Sequence, residues 1–253
     1  MLATAALAQR LPEVTGRSAA PQVDTLIVSD IHLGLPFSRP RELLRLLEDA
    51  DFKRLILLGD VFHDFSFRHL CADTWRLLAH IRRLSQRSDA EVVWVLGNHD
   101  RHLAPIVAAL IGIETRESFR WSHHGRSFLA LHGDRFDGFV SRNARLAEFF
   151  SGAYATISRT LAWLGDWPRH LDKLDVGIRR LTEEVIRGVE DFAEEAEADV
   201  IVCGHTHEPL HRVLPKAGPS GRQVEYFNTG GWVERPASFI TVCERGVAIQ
   251  RCH

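Results

Sequence analysis

The stretch "VVWVLGNHDR" at residues 92–101 decides how the rest of the chain is interpreted. Four of its first five residues are both apolar and β-prone, which is typical of a buried strand. The run then breaks directly into Gly97, Asn98, His99 and Asp100. A surface turn would explain Gly-Asn, because both residues tolerate positive φ. A turn does not explain why similar polar groups follow four other apolar runs of the chain.

The five polar segments share one pattern, in which small and metal-binding residues follow an apolar run. They are VSDIH (28–32), LLGD (57–60), LGNHD (96–100), LHGD (131–134) and CGHTH (203–207). In α/β sheets, ligands bind in the crevice beyond the carboxyl ends of the strands. We therefore expect the strands to act as a rigid support that holds these polar side chains together at one rim.

The surrounding sequence alternates between strand and helix patterns. The first part predicts strands at 24–30, 54–60 and 91–98, with amphipathic helices at 40–50 and 71–86. This spacing indicates parallel βαβ pairing. The second part predicts a hairpin at 118–134 and strands at 199–207, 223–231 and 237–251. Together they predict a mixed α/β sandwich whose second half is antiparallel.

A long segment without strand patterns, at about 138–198, separates the hairpin from the later strands. Its second part predicts a helix with one apolar face, made of Leu174, Ile178, Leu181, Val185, Val189, Phe192 and Ala196. Its first part is rich in aromatic and aliphatic residues, namely Phe139, Phe149, Phe150, Tyr154, Trp163, Leu164 and Trp167. We interpret 138–190 as a helical insertion or cap, whose apolar residues either pack on the sandwich or bind a lipid.

Composition sets the class of protein and its surroundings. The chain has 253 residues, 45% hydrophobic and 25% charged, with a net charge of −2, which is the balance of an ordinary soluble protein. Nothing in this charge indicates nucleic acid binding. The four cysteines are scattered, as in a cytoplasmic protein with reduced thiols. No run approaches the ~20 apolar residues of a membrane helix.

The sequence also predicts how the chain is divided into a tail and one domain. Residues 1–22 begin with a short Ala-rich run that no basic segment precedes, which favours a poorly ordered tail over a signal peptide. Residues 23–253 then form one domain that contains the insertion.

The residue types in the five segments indicate a metal site. Carboxylate, imidazole and amide oxygen without cysteine suit hard-to-borderline divalent ions. Asp30 and His32, two residues apart at a strand end, can share one ion. His205 and His207 can do the same or divide between neighbouring ions. Seven candidate ligands are too many for one catalytic ion with open positions. They are Asp30, His32, Asp60, Asn98, His132, His205 and His207.

Two ions fit this number of ligands better than one. Asp60 is the simplest candidate for a carboxylate that bridges them. Two ions roughly 3.5–4 Å apart form the clamp for in-line displacement at phosphorus. The sequence therefore predicts phosphoester or phosphoanhydride hydrolysis.

The ordered pattern D-x-H, G-D, G-N-H-D, H and G-H-x-H resembles the calcineurin-like metallophosphoesterases over about residues 24–231. The resemblance implies their β-sandwich of mixed sheets flanked by helices. It also implies two divalent metal ions, with Mn²⁺ the first choice and Fe, Zn or Mg as alternatives. A water activated between the ions would attack phosphorus.

The resemblance also implies a role for each motif residue. Asp30, His32 and His207 would hold the first ion, and Asp60 would bridge the two ions. The second ion would be held by Asn98, His132 and His205. The implied catalytic pair is His99, which protonates the leaving oxygen, and Asp100, which orients the His99 ring.

The C-terminal motifs resemble one group more closely, the UDP-2,3-diacylglucosamine pyrophosphatases of lipid A biosynthesis. The motifs are "DVIVCGHTHEP" (199–209) and "YFNTGGWVE" (226–234), with an insertion after "HGDRFD" (132–137). The resemblance implies a lipid-linked or small-molecule phosphoester substrate, UMP release and peripheral membrane contact through the insertion. One departure is His99, where the best-known members carry Arg.

Several alternatives stay open at this stage. Because of His99, a general nucleotide phosphodiesterase or phosphatase is an alternative function. A non-catalytic metal-bound scaffold is less favoured, because scaffold members such as the retromer subunit have lost motif residues and this chain has kept them. Among single residues, His63 is either close to the site or a surface residue, and Asp134 either binds or orients. The stretch "NTGGWVE" (228–234) either lines the site or only turns.

Overall fold

Two mixed β-sheets stack against each other in a computed structural model that describes residues 23–64, 67–138, 172–215 and 221–252, with side chains of the third range described from residue 179. The strands are β1 Val23–Val28, β2 Phe52–Leu58, β3 Glu91–Val95, β4 Glu114–Arg116, β5 Phe119–His123, β6 Arg126–Ala130, β7 Val200–Cys203, β8 Leu210–Val213, β9 Glu225–Asn228, β10 Ala237–Cys243 and β11 Gly246–Cys252. The α-helices are α1 Pro40–Asp49, α2 Ala72–Ser85, α3 Ala104–Ile111 and α4 Asp172–Phe192. Short 3-10 helices cover Phe67–His69 and Asp134–Phe136.

The first sheet has the strand order β11-β10-β1-β2-β3-β4. Strands β1 to β4 are parallel, and β10 joins β1 in the antiparallel direction. In the register, Ile27 of β1 lies beside Ile56 of β2, which lies beside Val93 of β3. The loops that follow these three strands therefore leave the sheet at the same edge.

The second sheet has the order β5-β6-β7-β9-β8. Its central strands β6, β7 and β9 are parallel, with Leu129 beside Ile201 and Ile201 beside Tyr226. Strands β5 and β6 form the predicted hairpin. The loops after β6, β7 and β9 also leave at one edge, so each sheet presents a row of loops.

Three apolar clusters hold the layers together. Between the sheets, residues such as Ile56 and Val93 pack with Phe128 and Val202 of the second sheet. Helices α1, α2 and α3 cover the outer face of the first sheet. Helix α4 covers the outer face of the second through residues such as Val185. The predicted α/β architecture, two mixed sheets flanked by helices, is confirmed. The predicted antiparallel second half is wrong, because β6, β7 and β9 at the centre of the second sheet are parallel and only the edge strands β5 and β8 are antiparallel to their neighbours.

The structure corrects several details of the predicted elements. The sequence did not predict α3, β4 or β8. The α3 sequence APIVAALI is apolar on nearly every side and so has no helical period to detect. The strands predicted to run into the polar segments end before them, because Asp30, Asp60 and Asn98 belong to the loops. No described helix is both long and apolar enough to span a bilayer.

The predicted insertion lies partly outside the described residues. Its aromatic part, 139–171, and the tail, 1–22, both lie outside them, so the domain organisation stays a prediction. Within α4, Val185 and Val189 of the predicted apolar face are buried, and so is Ile186, which the predicted face omitted.

Candidate metal centre

The five polar segments meet at the common rim of the two sheets. Among the described residues, three groups of potential ligand atoms form there, and the atoms within each group lie within 4.8 Å of one another. One group, His32, His63 and His99, consists of histidines only and shares His32 with another group. We call Asp30, His32 and His207 the first cluster. We call Asp60, His132 and His205 the second cluster. Each cluster combines loops from both sheets, so the stacking of the sheets creates the site.

In the first cluster, one carboxylate oxygen faces two imidazoles. Asp30 Oδ1 lies 3.3 Å from His207 Nε2 and 3.9 Å from His32 Nε2. The two ring nitrogens are 3.2 Å apart. The other oxygen, Oδ2, accepts hydrogen bonds from the His205 backbone N–H at 3.0 Å and from the Ser29 hydroxyl. The second oxygen is therefore used by the protein, while Oδ1 points at the imidazoles.

In the second cluster, Asp60 lies between the two groups. Its Oδ2 is 3.3 Å from His132 Nε2 and 3.8 Å from His32 Nε2 of the first cluster. Its Oδ1 accepts a hydrogen bond from the His99 backbone N–H at 2.9 Å. The His132 ring donates from Nδ1 to the carbonyl of Leu58 at 2.9 Å, which leaves Nε2 to face Asp60.

Three buried atoms of the site lack a hydrogen-bond partner among the described residues. They are Asp30 Oδ1, Asn98 Oδ1 and His132 Nε2. A buried polar atom left unsatisfied costs about 1–3 kcal/mol. Each of the three can donate an electron pair to a metal ion, Nε2 from the deprotonated ring, and all three belong to the predicted ligand set. The donor atoms and their orientation therefore fit divalent metal ions.

The electrostatics of the site keep both carboxylates ionised. Burial raises the pKa of Asp30, but the positive field of His207 outweighs it and the net pKa lies below the usual value. Burial likewise raises the pKa of Asp60, and His132 outweighs it, so the net pKa is well below the usual value. Burial, followed by the effect of His99, holds the pKa of His32 well below its usual value. His32 is therefore neutral, which is the form that binds metals.

Five of the candidate ligands adopt left-handed backbone conformations. The φ angles are 52° at Asp30, 47° at His32, 52° at Asp60, 70° at His205 and 59° at His207. Such angles are uncommon outside glycine and cost of order 1–3 kcal/mol each. The backbone turns sharply at these points and directs the side chains inward. Strain of this kind is typical of functional sites.

The motif glycines allow the loops to approach the carboxylates. A Cβ atom at Gly97 would overlap the Asp60 carboxylate, and one at Gly204 would lie 2.5 Å from Asp30 Oδ2. A Cβ atom at Gly59 would come within 2.6 Å of the His132 ring. These contacts explain why G-D, G-N and G-H each begin with glycine.

His99 and Asp100 lie beside the clusters and have different surroundings. His99 donates from Nδ1 to the carbonyl of His63 at 3.0 Å, and its Nε2 lies 3.9 Å from Asp60 Oδ2. Its side chain is 19% exposed, so the ring reaches the mouth of the site.

Asp100 is fully buried, and both of its oxygens accept backbone N–H groups. Its Oδ2 bonds Val61 at 2.8 Å and its Oδ1 bonds Gly97 at 3.0 Å. Burial, followed by the negative field of Asp60, raises the pKa of Asp100 to about 6. The structure thus gives Asp100 partners other than the implied His99 ring. Asp100 connects the loops after β2 and β3.

Three further side chains contact the candidate ligands. His207 donates from Nδ1 to Glu234 Oε1 at 2.7 Å, within the stretch "NTGGWVE". His205 Nε2 lies 3.1 Å from Asp137 Oδ2, and His32 Nδ1 lies 3.3 Å from His63 Nδ1. No local spacing in the sequence connects Glu234 or Asp137 to these partners, so neither residue was predicted to contribute to the site.

Asp134, the other residue left open by the sequence, is not part of either cluster. It pairs with Arg101, with 3.2 Å between the guanidinium nitrogen and Oδ2. This contact disfavours the binding role for Asp134, because its carboxylate pairs with a guanidinium outside both clusters.

Comparison with protein families defines the class of this chain. Residues 24–209, well over half of the sequence, match the calcineurin-like phosphoesterase family. The chain therefore belongs to the calcineurin-like phosphoesterases, a metal-dependent hydrolase family. The match includes all seven predicted ligands. None of the curated protein sequences matches the chain.

Solved structures are similar to this chain at low sequence identity and with TM-scores below 0.5. An archaeal phosphodiesterase is 14% identical with a TM-score of 0.46, and the alignment covers 90% of this chain and 98% of that protein. A Thermotoga maritima protein is 20% identical with a TM-score of 0.43, covering 90% and 96% of the two chains. Zinc-bound Vps29 of Entamoeba histolytica is 12% identical with a TM-score of 0.40, covering 90% and 97%. At this level of similarity, these structures say nothing about activity.

Proposed function

We propose that this chain is a two-metal phosphohydrolase that cleaves a phosphoric anhydride or ester. The position of Asp60 is the observation that supports this proposal most directly. One of its oxygens faces His132 at 3.3 Å and His32 at 3.8 Å, and these residues belong to different clusters. A carboxylate in this position can bridge two ions. The unsatisfied Asp30 Oδ1 and Asn98 Oδ1 add donors to the same site.

Each ion would have its own set of ligands in addition to Asp60. The first cluster contributes Asp30, His32 and His207 to one ion. His132, His205 and the amide oxygen of Asn98 serve the other ion. When bound, such ions supply Lewis-acid polarisation of the phosphoryl group and lower the pKa of water. We take Mn²⁺ as the first metal to test, with Fe, Zn and Mg as alternatives.

His99 is the proposed proton donor. Its Nδ1 already donates to the His63 carbonyl, so Nε2 is the nitrogen that faces the clusters, 3.9 Å from Asp60 Oδ2. In the protonated ring, Nε2 can donate a hydrogen bond to a phosphoryl oxygen and then a proton to the leaving oxygen. Positioned acids of this kind contribute about 10²- to 10⁴-fold to rates. The partial exposure of the ring keeps it accessible to a substrate.

For the substrate, we propose a UDP-2,3-diacylglucosamine-type pyrophosphate that releases UMP. Support comes from the motifs at 199–209 and 226–234 and from the apolar residues of the insertion. A lipid-linked substrate would bring the insertion into peripheral contact with the cytoplasmic side of a membrane. The departure at His99 favours a second candidate, a general nucleotide phosphodiesterase or phosphatase, because the group compared with carries Arg there.

The test uses protein that has been stripped with a chelator and reloaded with Mn²⁺. UMP release from UDP-2,3-diacylglucosamine is measured beside cleavage of an activated aryl phosphodiester. His132→Ala is the site variant, and His123→Ala, in the hairpin at the opposite end of β6, is the matched control. The number of ions per chain is measured by mass spectrometry of the metals.

The expected result is UMP release by the wild type and the control, and its loss in the His132 variant. Cleavage of the aryl diester without UMP release would keep the chemistry and reject the lipid-sugar substrate in favour of the second candidate. Binding of two ions without cleavage of either compound would support a non-catalytic scaffold instead.

A further inference from the structure

His63 touches both a candidate metal ligand and the candidate proton donor. Its side chain is buried, with 4% of the residue exposed. Its ring Nδ1 lies 3.3 Å from Nδ1 of His32, and its backbone carbonyl accepts a hydrogen bond from His99 Nδ1 at 3.0 Å. The backbone around it is fixed, because the His63 N–H donates to the Leu33 carbonyl at 3.1 Å.

The contact between His32 and His63 allows only one arrangement of protons if His32 binds a metal through Nε2. Nε2 of His32 faces Asp30 Oδ1 and Asp60 Oδ2, at 3.9 and 3.8 Å. A ring nitrogen that binds a metal uses its lone pair, so the proton of His32 must lie on Nδ1. That proton points to Nδ1 of His63, which must then be the acceptor.

We propose that His63 is a positioning residue of the first cluster, whose ring accepts the Nδ1–H of His32 and thereby fixes the tautomer and orientation of that ligand. This inference rests on the proposed function. The backbone carbonyl of the same residue holds His99 with Nε2 towards the site. One residue therefore orders a metal ligand and the proton donor together.

A neutral acceptor suits this position. Histidine ligands usually donate their second N–H to a carboxylate, a carbonyl or water. Asp30 and Asp60 already place two carboxylates around Nε2 of His32. A third carboxylate in the buried interior would add repulsion between like charges. An imidazole acceptor provides the hydrogen bond without that charge.

The first test compares two substitutions of His63. His63→Leu removes the acceptor, while His63→Asn keeps an acceptor oxygen near the position of Nδ1. Mn²⁺ affinity is measured by competition with a chelator, and the ions per chain are counted. Because contacts of this kind are worth about 10- to 100-fold in metal affinity, we expect that loss for one ion in His63→Leu. His63→Asn should restore most of the affinity.

Control variants separate a local effect from general damage. His123→Leu and His123→Asn make the same changes in the β5–β6 hairpin, away from the site, and should bind both ions like the wild type. Thermal melting confirms that each variant is folded. Wild-type affinity in His63→Leu would overturn the inference and leave the proposed function standing. If both His63 variants lost one ion completely, His63 would be a metal ligand. That result would also overturn the inference.

A second test needs no variant. Protein labelled with ¹⁵N-histidine and loaded with Zn²⁺ is studied by long-range ¹⁵N–¹H correlation, which identifies the protonated nitrogen of each ring. We expect the proton of His32 on Nδ1 and that of His63 on Nε2. A proton on Nδ1 of His63 would overturn the inference. Failure of the wild type to bind any metal would overturn the proposed function as well.

Discussion

The two clusters use similar side chains, but the protein supports them differently. In the second cluster, His132 is fully buried and donates to a main-chain carbonyl, that of Leu58. In the first cluster, His207 is 26% exposed and donates to a side chain, that of Glu234. The orientation of His132 is therefore set by the main chain. The orientation of His207 depends on a side chain that can be substituted without moving a strand.

This difference predicts unequal behaviour of two bound ions. An ion in the first cluster should exchange faster and respond to substitutions around it, whereas an ion in the second should respond mainly to changes of the backbone. Four experiments test this contrast.

The largest effect is expected for Asp60→Asn, because the Asp60 carboxylate faces histidines of both clusters. The amide keeps the shape and tolerates the left-handed backbone, but it lacks the negative charge that would bridge two ions. We expect kcat/KM for an aryl phosphodiester to fall by about 10³-fold or more, since metal-based stabilisation is worth several kcal/mol. Asp134→Asn, which removes a nearby charge outside the clusters, should change it little. If Asp60→Asn bound two ions and stayed active, the bridging role of Asp60 would be contradicted.

Asp100→Asn tests the backbone support of the loops after β2 and β3. Both oxygens of Asp100 accept backbone N–H groups, so the amide would place a donor against one of them. We expect the free energy of unfolding in urea to fall by about 1–3 kcal/mol. Asp49→Asn on the exposed side of α1 should stay within about 0.5 kcal/mol of the wild type. Equal stability of the two variants would argue against this support.

Glu234→Ala tests the side-chain support of the first cluster. Without the carboxylate, Nδ1 of His207 loses its acceptor, and we expect one ion to bind about 10- to 100-fold more weakly. Glu234→Gln keeps an acceptor oxygen and should recover much of that affinity. Chelator competition resolves the two ions. If the affinity for both ions fell equally, the two clusters would not differ in their support.

The smallest effect is expected for Thr182→Val. The Thr182 hydroxyl of α4 donates to Glu208 Oε2 at 2.9 Å, next to the loop that carries His205 and His207. Losing this bond should lower the free energy of unfolding by about 0.5–1.5 kcal/mol. Thr182→Ser keeps the hydroxyl and should match the wild type. Because the loop serves both clusters, a loss of only one ion in Thr182→Val would be unexpected.

The sequence predicted the parts of the site that local pattern can reveal. The metal-binding residues follow apolar runs, and the parallel register carries those runs to the same edge, so the residues could be expected to meet. Glu234 and Asp137 were missed because their contacts with His207 and His205 arise only when distant loops approach each other. Strand β8 was missed because LHRV is short and half polar at a sheet edge. The role of Asp100 as a tie between loops also depends on tertiary structure.

The left-handed conformations at five ligand positions restrict how this site can evolve. Asp, Asn and His are enriched among the non-glycine residues that adopt positive φ, and β-branched residues are disfavoured there. A change of metal preference that required other ligand types would cost roughly 1–2 kcal/mol at each such position. Several changes together would consume a large share of the ~5–15 kcal/mol that stabilises a typical fold. New metal specificity in this scaffold should therefore arise more readily around the ligands than by replacing them.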